Sequence, residues 1–246
     1  MIRLLVTRPP DQAVALATAL ADAGFEPVCV PTVAIEPAAD RALETALAQL
    51  DDYDWLIVTS ANGVPPLRGR VPPHGRTRVA AVGPATAEAL RRAGIRVDHL
   101  PREFLSVEIA DGLGEISGRR VLLARADAAT PQLRDALVQR GADVHDTIAY
   151  RTIEGPPTSR QPLRRALESG LHGIVFSSGS AVRGLLALLA PAEQAQARAI
   201  PALCIGPVTA EQAAAGGFEV ALVAADHSAT GLARAIAAHF ATEAMA

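Results

Sequence analysis

The chain has 246 residues, half of them apolar and a fifth charged, with a formal net charge of −3. That is enough for one large α/β domain or two smaller ones, and it excludes a disordered or fibrous protein. The mildly acidic balance argues against broad binding to nucleic acid or anionic membrane, and all 23 basic residues are arginine, so Schiff-base lysines, a pyridoxal-phosphate anchor and a P-loop lysine are excluded.

In chain order, short β-branched runs alternate with alanine- and leucine-rich stretches. Strands are predicted at Arg3–Thr7, Trp55–Thr59, Val79–Val82, Val121–Ala124, Gly173–Phe176 and Ala202–Ile205. Helical patterns lie between them, such as Gln12–Ala23, with Leu16 and Leu20 one turn apart, and Gln132–Arg140, with Leu133 and Leu137. Continuously apolar strands separated by helices predict parallel sheets covered on both faces. Two extended stretches, Phe25–Pro37 and Ala142–Pro157, are longer than ordinary connections and end in proline; they are read as crossing linkers. Pro65, Pro66, Pro72 and Pro73 leave no room for a long helix after Ser60–Val64. Cys29 and Cys204 lie in apolar runs and are expected to be buried, reduced thiols. The opening MIRLLVTRPP is too brief for a signal peptide's apolar region, and no run of about 18 apolar residues is free of charge and proline. A cytoplasmic location without membrane attachment is therefore expected.

Internal repetition organises the chain. VGPATAE (Val82–Glu88) matches IGPVTAE (Ile205–Glu211) at five of seven positions. LIVTSANGV parallels GIVFSSGSAV and sets Ser60 against Ser178; RLLVTR parallels RVLLAR, setting Arg8 against Arg125 and, one helix later, Gly24 against Gly141. Three matches in the same order indicate a duplicated α/β unit.

Four turns share one design, in which a strand ends, Ser, Thr, Gly or Pro follow, and a helix begins. They are Thr59–Asn62, Gly83–Thr86, Ser177–Ser180 and Gly206–Thr209. Pro84 and Pro207 suit a first helical turn. Free N–H groups, the positive dipole end and neighbouring hydroxyls make such turns anion sites at the carboxyl edge of an open sheet. The alternative is that each hydroxyl only caps its own helix; recurrence in both copies favours the ligand reading. Ser60, Thr86, Ser178 and Thr209 are thus candidate substrate-binding residues, with Arg8 and Arg125 at the ends of the repeats' first strands as forked carboxylate partners. Tyr150, within the second linker, is a candidate proton donor or a packing aromatic. The six histidines (74, 99, 145, 172, 227, 239) are dispersed, so no metal site is expected. No G-x-G-x-x-G follows a strand, no G-x-S-x-G elbow occurs, and neither cysteine has a nucleophile's context.

Taken in order, VTRP, DWLIVTSANGV, AVGPATAEALRRAG, the AYRT linker, GIVFSSGSAV and CIGPVTAEQAAAGG resemble the uroporphyrinogen-III synthase family. The resemblance spans almost the whole chain and implies two flavodoxin-like parallel-sheet lobes joined by a two-stranded linker, with the active site in the cleft between them. It implies a first lobe from residues 1–36 and 153–246 and a second from 37–149, with linkers near 25–37 and 142–157; the two linkers themselves lead to the expectation of interdomain closure on the ligand. The implied substrate is hydroxymethylbilane, a linear tetrapyrrole with eight carboxylates. The implied reaction loses water and closes the ring with inversion of the last pyrrole, through a spiro intermediate, without cofactor or metal. Tyr150 matches the family's linker tyrosine, and a monomer with no nucleic-acid partner is expected. The proline-rich segment after Val64 departs from the family's helix. The competing reading is a two-lobed module that binds or senses an anionic small molecule without catalysis; a sugar-phosphate isomerase or deacetylase would need a base or metal cluster this sequence does not offer.

Overall fold

In a computed structural model the described residues are 1–101 and 108–243. They form, in chain order, β1 (Arg3–Val6), α1 (Pro10–Asp22), β2 (Glu26–Cys29), β3 (Val33–Pro37), α2 (Arg41–Ala48), β4 (Trp55–Val58), β5 (Arg78–Ala81), α3 (Pro84–Arg92), α4 (Glu108–Gly112), β6 (Arg120–Ala126), α5 (Gln132–Gln139) and β7 (Asp143–Glu154). These are followed by α6 (Arg160–Glu168), β8 (Gly173–Phe176), α7 (Gly179–Leu188), α8 (Pro191–Arg198), β9 (Ala202–Cys204), α9 (Pro207–Ala215), β10 (Val220–Val223) and α10 (Ala229–Glu243). The chain divides into two compact units, one from Met1–Ala34 with Ile153–Ala246, the other from Ile35–Thr152.

The first unit carries a sheet ordered β10-β9-β8-β1-β2, with its assigned pairs parallel. Renumbered along the unit this is the doubly wound order 2-1-3-4-5, whose switch point lies between β1 and β8. Leu4, Leu5, Val6, Ile174, Val175 and Phe176 are fully buried because helices cover both faces. On one side α1 and α10 pack together, placing Leu16, Leu20, Leu232 and Ile236 over β1 and β9. Each such aliphatic side chain stabilises the unit by roughly 1.5–3 kcal/mol through burial alone. On the other side α7 and α9 pack together, and α7 approaches the backbone closely at Gly184. A Cβ there would lie 2.0 Å from the Thr32 carbonyl oxygen. Thr32 ties this spot together: its Oγ1 donates to Ala181 O (2.8 Å), its N–H donates to Thr7 O (3.0 Å), and its carbonyl accepts from Gly155 N–H (2.9 Å).

The second unit's sheet is ordered β3-β7-β6-β4-β5, with parallel pairing from β7 to β5. The repeat seen in the sequence reappears in the hydrogen-bond register. Leu4 pairs with Gly173 and Val175 with Leu203; their counterparts Val121 and Trp55, and Ile57 and Ala80, pair likewise. Each sheet therefore combines the first strand–helix pair of one repeat with the later strands of the other. Gly24 and Gly141, matched in the repeat, both follow a helix with positive φ (88° and 81°), the left-handed stop a glycine takes without Cβ strain.

Phe25–Pro37 does cross from one sheet to the other, as expected, but as two strands, β2 and β3, with Val30, Pro31 and Thr32 between them. One expectation needs correcting. Cys29 is exposed, not buried, because β2 is an edge strand; Cys204, on the inner strand β9, is buried. The proline-rich segment forms only 3₁₀ turns at Ala61–Gly63 and Pro65–Leu67. No described helix is long and apolar enough to cross a membrane.

Candidate functional site

In the second unit the carboxyl ends of β4, β6 and β7 surround a pocket of about 290 Å³. It is lined by Thr59, Ser60, Arg125, Ala126, Thr130 and Tyr150, with Ala129 and Leu133 completing the wall. Three candidates named from sequence, Ser60, Arg125 and Tyr150, thus share one cavity. Ser60 caps the 3₁₀ turn that follows it, its Oγ accepting from Asn62 N–H (3.2 Å). Arg125 is only 12 % exposed and is engaged by protein: its Nε donates to Asp146 Oδ1 (2.7 Å), its Nη2 to the other carboxylate oxygen, and its Nη1 to Thr130 O (2.5 Å). Its nearest anion is therefore Asp146. Tyr150 is buried at 7 % exposure and stands beside a register shift, where Arg125 pairs with Ile148 but Ala126 with Tyr150. One extra residue in β7, Ala149, forms a bulge that turns the strand, so Ala149 and Tyr150 are both buried despite being consecutive. The Tyr150 hydroxyl has no hydrogen-bond partner among the described residues.

Thr86 lies in the first turn of α3, behind the Gly83 cap and Pro84. It is 5 % exposed, and its hydroxyl has no partner among the described residues.

The first unit presents the counterpart set at its own carboxyl edge. Ser178 caps α7, accepting from Ala181 N–H (3.2 Å), and its Oγ lies 2.9 Å from that of Ser180. Here the capping role and the polar rim coexist. Thr209, in the first turn of α9 behind Gly206 and Pro207, is 6 % exposed and, like Thr86, makes no hydroxyl hydrogen bond among the described residues. Arg8 follows β1 and forms no ion pair or side-chain hydrogen bond among the described residues. Burial lowers the pKa of its guanidinium from the ordinary arginine value, the signature of a cation poorly compensated by water. Such a group gains from any anion that reaches it.

Sequence reasoning missed Thr130 and Asp146. Thr59 and Ser177 lie inside the turns read from sequence, directly before Ser60 and Ser178 in the two copies of the repeat. The Ser177 Oγ is buried and unpartnered among the described residues. Asp146 gave no signal, because only the β6–β7 register sets it beside Arg125. Among the described residues no group of three or more His, Cys, Asp or Glu is placed to hold a metal ion.

A duplicated, doubly wound α/β chain whose hydroxyl-rich helix starts and arginines lie at the carboxyl edges of both sheets belongs to the class of open-sheet proteins in which that edge is the usual place for a ligand site. A family model described as uroporphyrinogen-III synthase HemD matches residues 14–234. The chain belongs to that family. A uroporphyrinogen-III synthase from Synechococcus elongatus is 29% identical over 76% of this chain and 74% of its own length. One from Chlorobaculum parvum is 25% identical over 96% of this chain and 98% of its own. Among solved structures, a mutant uroporphyrinogen III synthase from Thermus thermophilus superposes with a TM-score of 0.64 at 20% identity, covering 98% of this chain and all of that one. The Helicobacter pylori uroporphyrinogen-III synthetase gives 0.62 at 16%, covering 95% and 97%. At these identities the structures establish the shared fold.

Proposed function

We propose that the protein closes hydroxymethylbilane to the type III macrocycle, with the pocket beside Tyr150 as the place where water leaves. The observation that carries this reading is a phenol without a protein partner among the described residues, in the wall of a cavity between hydroxyls and an alanine-lined turn. The hydroxymethyl C–O bond breaks as the pyrrole nitrogen's electron pair pushes from behind. The departing oxygen takes a proton from the Tyr150 hydroxyl and leaves as water. The substituted carbon of the last pyrrole then attacks the freed carbon to give the spiro intermediate. Reopening and reclosure invert that ring, and the proton lost on rearomatisation restores the phenol. The phenol need only assist, because the electron-rich pyrrole supplies most of the driving force.

The protein's main task is then orientation, which is worth several kcal/mol when reacting atoms are held at contact distance. At about 290 Å³ the pocket lies at the small end of ligand cavities and suits one substituted ring, not four. Further carboxylates meet Ser60 and Thr86 with the helix-end amides of the second unit; Arg8, Ser178 and Thr209 offer the same chemistry on the first unit taken by itself. Arg125 frames the pocket with its guanidinium engaged by Asp146 and the Thr130 carbonyl. The protein works as a monomer in the cytoplasm, needs neither cofactor nor metal, and takes no nucleic-acid partner. The test is direct: freshly made hydroxymethylbilane is incubated with the protein and the porphyrinogen isomers are separated. Type III product is expected; type I alone, the outcome of spontaneous closure, would overturn the proposal.

A further inference from the structure

The Arg125 guanidinium is held from two sides. Asp146, on β7, takes Nε at 2.7 Å and also Nη2, the two-pronged pairing that fixes both the position and the plane of the group. The free edge is thereby aimed at the turn after β6, where Nη1 donates to Thr130 O (2.5 Å) and, more weakly, to Ala129 O (3.4 Å). Ala129 and Thr130 are part of the wall of the pocket that Tyr150 lines. The same turn is fastened at its start, since Asp127 N–H donates to Tyr150 O at 3.1 Å. Two ties thus join the turn to β7, one through Tyr150 itself and one through Arg125 and Asp146. If the carboxylate were neutral, the guanidinium would lose its only described counter-charge and would be free to turn toward an anionic ligand.

We propose that Asp146 is a positioning residue: acting through Arg125, it holds the 126–131 turn at a fixed distance from Tyr150 and keeps Arg125 from being captured by a substrate carboxylate. This rests on the reading that water departs in this pocket. Asp146 is not among the residues that line the pocket, so its effect appears in turnover more than in binding. A merely structural loosening raises KM together with a loss of stability; a released guanidinium instead adds binding that is equal in ground and transition states and leaves the pocket misshapen.

The experiment compares wild type, Asp146→Asn, Asp146→Glu, Arg125→Gln and the double variant Arg125→Gln with Asp146→Asn, all as full chains. Asp146→Asn is expected to lower kcat roughly tenfold, the order expected when a wall shifts by a fraction of an ångström, with KM unchanged or lower. Asp146→Glu, which keeps the charge, should recover part of that loss. In the Arg125→Gln background the Asp146→Asn change should add nothing to kcat, because its route of action is already gone. Independent losses that multiply in the double variant, or a raised KM with kcat intact, would overturn the proposal. Hydrogen exchange of the amides of residues 126–130 without substrate supplies the second arm. Asp146→Asn should speed exchange there and not in β4, and unchanged protection would also overturn the proposal. If Asp146→Asn does not fold, Arg125→Gln and Asp146→Glu carry both arms. Should wild type make no type III product, the functional reading falls, while the exchange arm still decides whether the tie holds the turn.

Discussion

Replacing Tyr150 by Phe removes one oxygen from the pocket wall and leaves the ring in its packed place. Since the hydroxyl has no described protein partner, thermal stability should hardly change. Turnover should fall by up to about 10²-fold with little change in KM, the usual scale for a positioned acid that solvent can partly replace. Steady-state kinetics on the purified variant check this, and an unchanged kcat would reduce Tyr150 to a packing aromatic. The two thiols make a second pair of expectations. Burial pushes Cys204 up to about 11, so about one part in 10³ is thiolate at pH 8, and the residue is sealed in the sheet. Cys29, exposed on the edge strand, should be alkylated by iodoacetamide in the native protein, with Cys204 labelled only in denaturant; mass spectrometry of the labelled peptides reads the outcome. Equal labelling of both would contradict the burial of β9. His99 adds a pH term. Burial lowers its pKa below the ordinary imidazole value, so the unfolded chain takes up a proton that the folded one resists. Stability from this group is complete above about pH 6.5 and is lost as pH falls toward the depressed folded value. Urea titrations at falling pH should show that loss, and His99→Phe should flatten it.

At the scale of elements, α7 at Gly184 leaves less room for a Cβ than any other described glycine of the first unit, because it lies against the Thr32 backbone. Gly184→Ala would drive a methyl carbon to 2.0 Å from a carbonyl oxygen, so the helix must shift and the Thr32 hydrogen bond to Ala181 must stretch or break. A loss of about 1–3 kcal/mol, or more, is expected. Denaturant midpoints measure it, and a change within about 0.5 kcal/mol would mean that the helix has slack there. How much of this could be read from sequence depends on the strand's place in its sheet. The inner strands β4, β6, β8 and β9 are apolar on both faces, so their runs stood out within a residue or two of the observed ends. β10 was missed although Val220–Val223 is as apolar as the inner strands; at the edge of its sheet its residues are only partly covered. The same reasoning explains Cys29: an apolar run looks buried in sequence, yet an edge strand leaves its last residue open. Ser60, Arg125 and Tyr150 were found one at a time; that they share a cavity follows from strand register and a single-residue bulge. No local pattern encodes those.

For the molecule as a whole, the second unit is continuous in sequence and the first is not. A polypeptide of residues 33–154 holds every strand of the sheet β3-β7-β6-β4-β5 and should fold alone, with a cooperative urea transition. A chain cut at the repeat boundary, before β6, separates β6 from β4 and β1 from β8, and neither half should show such a transition. If the halves fold and the 33–154 polypeptide does not, the shared pairing of the two repeats is wrong.

That interleaving sets a timetable at the ribosome. β1, α1 and β2 leave the exit tunnel first, but their partners β8 and β9 are encoded only after the whole second unit. At about 5–20 residues per second, the wait is on the order of ten seconds. Throughout it β1, with Leu4, Leu5 and Val6, must stay unpaired on the side that β8 will take, while the younger unit is already able to close its own sheet. An apolar strand with an open edge is the form most prone to join a neighbouring nascent chain. Residues made before the second unit therefore find their place only after it, and production of intact protein in the cell should depend on holdase chaperones more steeply than its finished stability would suggest.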